Sequence, residues 1–259
     1  MQRSVIRPSP VFLGIVGVAV LGGVLTALAN QDDYYTFDGP GALAITGTVL
    51  LVLGGWAVSL CLHEFGHAWF AYRGGDKQVY FKGYLTLDPR RYTDPVLSIV
   101  LPLLFLLIGA IPLPGGAVWI NHHALRSRAT QSVVSLAGPL SNLVLGVLIA
   151  VVVSAVPMPV GLAAGLSVLA LFQVLAFVLN ILPIPGLDGW GAIEPWLSYE
   201  AQRFGAKVRP WAPLVLFALI IGVPQVGNTI FGWADDLYTT LGGSPLAVVG
   251  YDAFKFWNF

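Results

Sequence analysis

The stretch ALAITGTVLLVLGGWAVSLCLHEFGHAWFAY, residues 42–72, decides how the rest of the chain is read. Glu64 is its only charged residue, and it stands between His63 and His67. An ionisable side chain at membrane depth costs at least ~2.5–3.5 kcal/mol and marks a functional position by default. On a helix, histidines at i and i+4 present their imidazoles on one face, about one turn apart. Two such rings can grip one metal ion, with the carboxylate of Glu64 beside it.

The surrounding composition agrees with a membrane setting. The chain has 259 residues, of which 56% are hydrophobic and only 10% charged. With a mean hydropathy of +0.78 it lacks the charge a soluble surface needs, so it reads as a polytopic membrane protein embedded in a lipid bilayer. The net charge is zero, and nothing points to nucleic acid. Cys61 is the only cysteine, so no intrachain disulfide is possible, and its plain reading is packing within an apolar helix. The apolar runs are 11–29, 42–72, 95–111, 132–156, 160–182 and 210–231. The first follows Arg3 and Arg7 and ends at Ala27-Leu28-Ala29, as a signal peptide would. Its apolar core, about 19 residues, is longer than an h-region, and it reads as an uncleaved span. No repeat, low-complexity tract or separate soluble domain is visible, so residues 1–259 form one membrane-embedded domain with its catalytic core at about 40–200. The tail from Gly232 to Phe259, with Trp233, Phe254 and Trp257, reads as an interfacial segment on the outer face.

Parity constrains the topology. A second polar signature, Asn180 to Gly189, ends its own apolar helix, just as the histidine motif lies toward the end of its helix. If Asp188 joins the histidines, both helices run the same way, and one of the three intervening runs does not cross. The basic residues select 95–111. With that segment re-entrant, every Lys and Arg except Lys255 falls on one side, and the loop at 30–41 opposite carries Asp32, Asp33 and Asp38. This positive-inside pattern puts the amino terminus and the metal site toward the cytoplasm, and the expected location is a bacterial cell membrane. Pro102 and the Ile111-Pro112-Leu113-Pro114 exit suit a hairpin that dips and returns. The fold expected is all-α, with five transmembrane helices and a re-entrant segment; a full sixth span is the alternative.

A catalytic zinc takes three protein ligands and leaves a fourth position for water. His63 and His67 supply two. Asp188 is the best third candidate, because a Pro-containing break at the end of a helix can turn it inward; its other reading is a helix cap before Trp190. Glu194, His122 and His123 are weaker candidates in basic or loop contexts. Glu64 lies beside the ligands as the base that takes the proton of the metal-bound water.

Together these residues resemble the site-2 protease family of intramembrane zinc metalloproteases. His63-Glu64-Phe65-Gly66-His67 matches the family's HExGH. Ala137-Gly138-Pro139-Leu140-Ser141-Asn142 looks like its GPxxN element, and the stretch from Asn180 to Gly189 resembles its NxxPxPxLDG element. Gly83 to Pro89, followed by Asp94-Pro95, is similar to the compact prokaryotic members that lack a PDZ domain. The resemblance implies one zinc per chain held by His63, His67 and Asp188, Glu64 as catalytic base, and a role for Asn142 near the substrate or oxyanion. Read by itself, Asn142 is as well explained as a hydrogen bond between membrane helices. Gly186 departs from a position where the family often has proline. Trp190 stands where it often has a small residue, and could narrow substrate access.

A substrate helix must unwind before its peptide bond can be attacked. Residues 79–87, rich in β-branched and aromatic side chains and interrupted at Gly83, read as a short β-hairpin near the active site, with Gly83 and Tyr84 offering an edge to the unwound substrate. The other reading is an interfacial loop anchored by Tyr and Phe. Gly54-Gly55 and Gly161 to Gly165 mark close helix packing or flexibility. The leading functional reading is a zinc endopeptidase acting on a single-span membrane protein, such as the anti-sigma factors that relatives cut. The alternatives are a zinc-binding membrane transporter and a non-catalytic scaffold. Against the transporter stands the scarcity of other buried acidic or His pairs.

Overall fold

The computed structural model describes residues 6–34, 39–92 and 118–255, and its ordered elements there are all helical. Four helices are long and apolar enough to cross a membrane: α1 (Pro10–Leu28), α2 (Ala42–Gly74), α4 (Arg128–Ala155) and α5 (Val160–Asn180). Between α2 and α4 lies the single-turn helix α3 (Gln78–Phe81). After α5 come α6 (Asp188–Ile193), α7 (Tyr199–Val208), α8 (Ala212–Gly222), α9 (Pro224–Thr240) and α10 (Leu246–Phe254). The protein is an integral membrane protein.

Helix α1 starts at Ser9, whose hydroxyl accepts from the Phe12 N–H at 3.1 Å, with Pro10 in the first turn. It lies along α2 at a distance only glycine permits. A Cβ on Gly54 would meet the Ala19 backbone at 2.7 Å, and one on Gly22 would overlap the Leu51 backbone. Gly54 is therefore a packing residue, and Gly161 is another, pressed against the Thr26 carbonyl and the Tyr34 ring. Helix α4 packs beside α2 and α5 against both, so the three form the centre of the bundle.

The chain leaves α2 and enters α4 at the same end of the bundle. The Arg126 N–H donates to the Gly74 carbonyl at 3.1 Å. The fully buried Asp76 carboxylate accepts from the N–H groups of Gln78 (2.9 Å) and Asn121 (2.8 Å). Gly75, at φ +131°, makes the turn, and a side chain there would strike the Ala124 carbonyl. The run at 95–111, expected to be re-entrant, lies outside the described residues.

Three sequence expectations need correction. Residues 79–87 do not form a β-hairpin, and no strand occurs among the described residues. Local bonds consume the backbone groups a ladder would need: Lys82 N–H to the Gln78 carbonyl, and both the N–H and the hydroxyl of Thr86 to the Gly83 carbonyl. Gly83 and Leu87 both have positive φ, and the consecutive residues Tyr84 and Leu85 are both buried, which the alternation of a strand forbids. They pack in one cluster with Ala68 and Ala71 of α2. Second, the run 210–231 is not one helix. Val223 is extended and Pro224 opens a new helix, because proline has no N–H to continue α8 and biases its predecessor away from helical angles. The bent pair α7 and α8, at 63°, is the only route among the described residues to a fifth span. Third, part of the tail, α10, packs into the bundle, while Trp233 is exposed and Trp257 lies outside the described residues. Phe254 is buried edge-on to Phe172 of α5, and Gly250 lets α10 sit on the Ala164 carbonyl.

The turn after Tyr84–Thr86 carries a testable charge. Asp88, 4% exposed, caps the short 3-10 turn Pro89–Arg91 by accepting from the Arg90 N–H, and its carboxylate pairs with the Arg90 guanidinium at 2.7 Å. Those hydrogen bonds hold the Asp88 carboxyl below the usual carboxylate range. A depressed folded pKa contributes stability above the unfolded value, near 3.9, which is lost as pH falls through the folded value. Asp88→Ala should therefore cost about 1 kcal/mol at pH 7. The gap from wild type should narrow in detergent melting curves as pH falls below the unfolded carboxyl value, about 3.9. A gap independent of pH would remove the ion pair from the account.

Candidate metal centre

The motif of α2 lies toward its C-terminal end, and both histidines face inward, 8% and 4% exposed. Their rings meet edge-to-face with centroids 4.8 Å apart, and the two Nε2 atoms are separated by 3.1 Å. Asp188 arrives from a break. Helix α5 ends at Asn180, whose side-chain amide donates back to the Ala176 carbonyl; Pro183 and Pro185 prevent its continuation, and Gly186 turns the chain at φ +101°. Helix α6 then starts at Asp188 with no side-chain cap. The carboxylate instead reaches His63 Nε2 at 3.2 Å and His67 Nε2 at 3.3 Å. The capping alternative for Asp188 is thereby set aside, and among the described residues these three form the only group of ligand-type side chains close enough to share an ion.

The outer nitrogens decide what the inner ones offer. His67 Nδ1 lies 2.7 Å from the Val134 carbonyl, which can only accept, so that nitrogen carries the proton. His63 Nδ1 lies 2.6 Å from Asn142 Oδ1, while Asn142 Nδ2 donates to Gln173 Oε1 at 2.8 Å. Both imidazoles are thus Nδ1–H tautomers with Nε2 lone pairs turned inward, beside a carboxylate. Three electron-rich atoms converging in a buried site repel one another unless a cation lies among them. Two imidazole nitrogens and one carboxylate oxygen are a zinc donor set, and histidine ligands anchored through their other ring nitrogen are the usual arrangement. Space for the ion is kept by Gly138 of α4. A Cβ there would lie 2.6 Å from His63 Nε2 and closer still to His67 Nε2. Gly66 permits the approach, since a side chain on it would press on the Ala137 carbonyl.

Glu64 is 5% exposed and stands outside the trio; its Oε2 accepts from the Val118 N–H at 2.9 Å. The weaker ligand candidates are elsewhere. His122 and His123 are exposed in a 3-10 turn, and Glu194 is paired with Arg209 at 2.8 and 3.0 Å. Asn142 is buried between helices, on His63 and Gln173. Tyr84 is buried in the cluster under α2, with Gly83 just before it. The Trp190 indole lies against Gly205 of α7. Sequence reasoning missed Gln173, Gly138 as a space-keeper, and the Val134 carbonyl. Gln173 had a signal, being the one amide inside the apolar run before Asn180; a backbone carbonyl has none.

Comparison with known proteins points the same way. The chain is 44% identical over 260 residues to a Mycobacterium tuberculosis protein provisionally named zinc metalloprotease Rip2, covering 99% of this chain and 97% of that one. The Rip2 of Mycolicibacterium smegmatis is 42% identical over 259 residues, covering 99% and 96%. A Bacillus subtilis protein provisionally named zinc metalloprotease YwhC is 35% identical over 177 residues, covering 63% of this chain and 77% of its own length. No protein-family profile matches, and neither does any solved structure. Bundle, donor set and relatives define a membrane-embedded zinc metalloprotease. The chain belongs to the site-2 protease family.

Proposed function

We propose that this protein is an intramembrane zinc endopeptidase that hydrolyses a peptide bond in or near the transmembrane segment of a single-span membrane protein. The observation that carries the reading is the convergence of His63 Nε2, His67 Nε2 and an Asp188 oxygen at one buried point of an apolar bundle. Those three side chains hold the ion. When bound, zinc lowers the pKa of a coordinated water to about 7 and polarises the scissile carbonyl. Glu64 takes the proton of the attacking water as oxygen bonds to the carbonyl carbon. It then delivers that proton to the leaving nitrogen as the C–N bond breaks, so the products are an acid and an amine. The Val118 N–H holds one Glu64 oxygen and leaves the other for the proton.

An apolar groove of about 500 Å³ between α2 and α4 supports a membrane-segment substrate. Phe65, Trp69, Leu140 and Leu148 line it. Gly66 and Ala137, also in its wall, directly precede His67 and Gly138 of the site. The charge asymmetry of the loops supports a site facing the cytoplasm. A transporter would need further ligand clusters along a path, and the described residues hold one.

The test uses detergent-purified protein and a panel of single-span peptides. Wild type should carry one zinc per chain and cut. Removing the ion with 1,10-phenanthroline should stop cleavage, and added zinc should restore it. Cleavage that survives full removal of the metal would end the proposal.

A further inference from the structure

We infer that Gln173 is a positioning residue for the metal centre: through Asn142 it selects the His63 tautomer that can bind the ion. The inference rests on the zinc reading above and adds to it a residue on a third helix.

The relay has three members on three helices. Gln173, fully buried on α5, accepts from Asn142 Nδ2 at 2.8 Å; Asn142 Oδ1, on α4, faces His63 Nδ1 at 2.6 Å; His63 Nε2, on α2, faces the site. A carboxamide is nearly symmetric in shape but not in chemistry, since one end accepts and the other donates. Turned over, Asn142 would present its NH2 to His63 Nδ1. That nitrogen would then have to be the acceptor, and the ring proton would move to Nε2, where it blocks coordination. Turning Asn142 over would set its oxygen against Gln173 Oε1, so the flip is opposed by Gln173 in the orientation the structure assigns it.

The other end of Gln173 argues against a purely structural role. Its Nε2 is buried with no partner among the described residues. An unmade hydrogen bond of a buried donor is a cost, and an apolar side chain of similar size would avoid it. What an apolar side chain cannot supply is the Oε1 acceptor.

The prediction separates these roles. Full-length protein is compared with Gln173→Leu, which removes the acceptor, and Gln173→Glu, which keeps one. Zinc affinity is read by chelator competition, coordination by the visible spectrum of the cobalt(II) form, and stability by melting of the metal-free protein. Gln173→Leu should bind zinc about 10–100-fold more weakly, as outer partners of metal-ligating histidines typically do when lost. Its cobalt spectrum should change, while the metal-free protein still folds, with any fall in melting temperature limited to the cost of leaving Asn142 Nδ2 without its acceptor. Gln173→Glu should recover wild-type affinity and spectrum. The inference is overturned if Gln173→Leu binds zinc like wild type, if Gln173→Glu is as weak as Gln173→Leu, or if metal-free Gln173→Leu fails to fold. Wild type without zinc would instead show that the underlying reading had failed, before either variant is measured.

Discussion

Glu64→Gln should retain one zinc per chain and lose peptide cleavage by about 10²–10⁴-fold, the usual contribution of a positioned general base. The two side chains have nearly the same shape, and a glutamine Oε1 can still accept from the Val118 N–H that holds Glu64 at 2.9 Å. An amide cannot take up a proton at neutral pH, so the substitution removes the chemistry and spares the packing. Metal content should be unchanged because Glu64 is not one of the three converging donors. Melting should not fall either, since a neutral amide in a site 5% exposed is cheaper to desolvate than a carboxylate. Zinc content, melting temperature and cleavage of a single-span peptide check all three statements on one preparation. Undiminished cleavage by Glu64→Gln would remove Glu64 from the mechanism. Loss of zinc would make it a ligand.

Gly138→Ala should abolish zinc binding although it alters no ligand. The added methyl would stand 2.6 Å from His63 Nε2 and nearer to His67 Nε2, where the donors converge. The rings cannot easily swing away, because each is held through Nδ1, one by Asn142 and the other by the Val134 carbonyl. The helix cannot retreat either: α4 is in contact with α2 at Gly66 and Ala137, and interiors of this density resist displacement. Overpacking of this kind costs about 1–3 kcal/mol. The expected result is a folded protein with a lowered melting temperature, no bound zinc and no cleavage. Full zinc occupancy in Gly138→Ala would show that the imidazoles sit farther from α4 than described.

The two substitutions locate what was legible in the sequence. Glu64 could be found because one charge in an apolar run is costly, and the flanking histidines gave it a purpose. Asp188 could be found from the Pro-containing break that ends α5. Gly138 was visible only as a motif letter, since its role depends on how closely α4 approaches α2. The misreadings have the same origin. Residues 79–87 have the composition of a strand, yet Gly83 turns left-handed and Tyr84 and Leu85 are buried together against α2. The run 210–231 has the composition of a span, yet Val223 is extended and Pro224 opens a second helix. The tail read as interfacial because its aromatics suit a membrane surface, whereas Phe254 and Gly250 found partners on α5.

The sequence by itself determined the membrane class, the main spans, and which side chains could bind a metal or move a proton, because these follow from local quantities: hydropathy over a window, the pitch of a helix, the ligand chemistry of a side chain. Tertiary structure alone decided that Asp188 meets both imidazoles, that Val134 and Asn142 set their tautomers, that Gln173 backs Asn142, and that Asp76 ties the end of α2 to Asn121. These are contacts between residues tens of positions apart. Hydrogen bonds and close packing act over a few ångströms of space, and no local pattern records which distant residue fills that space.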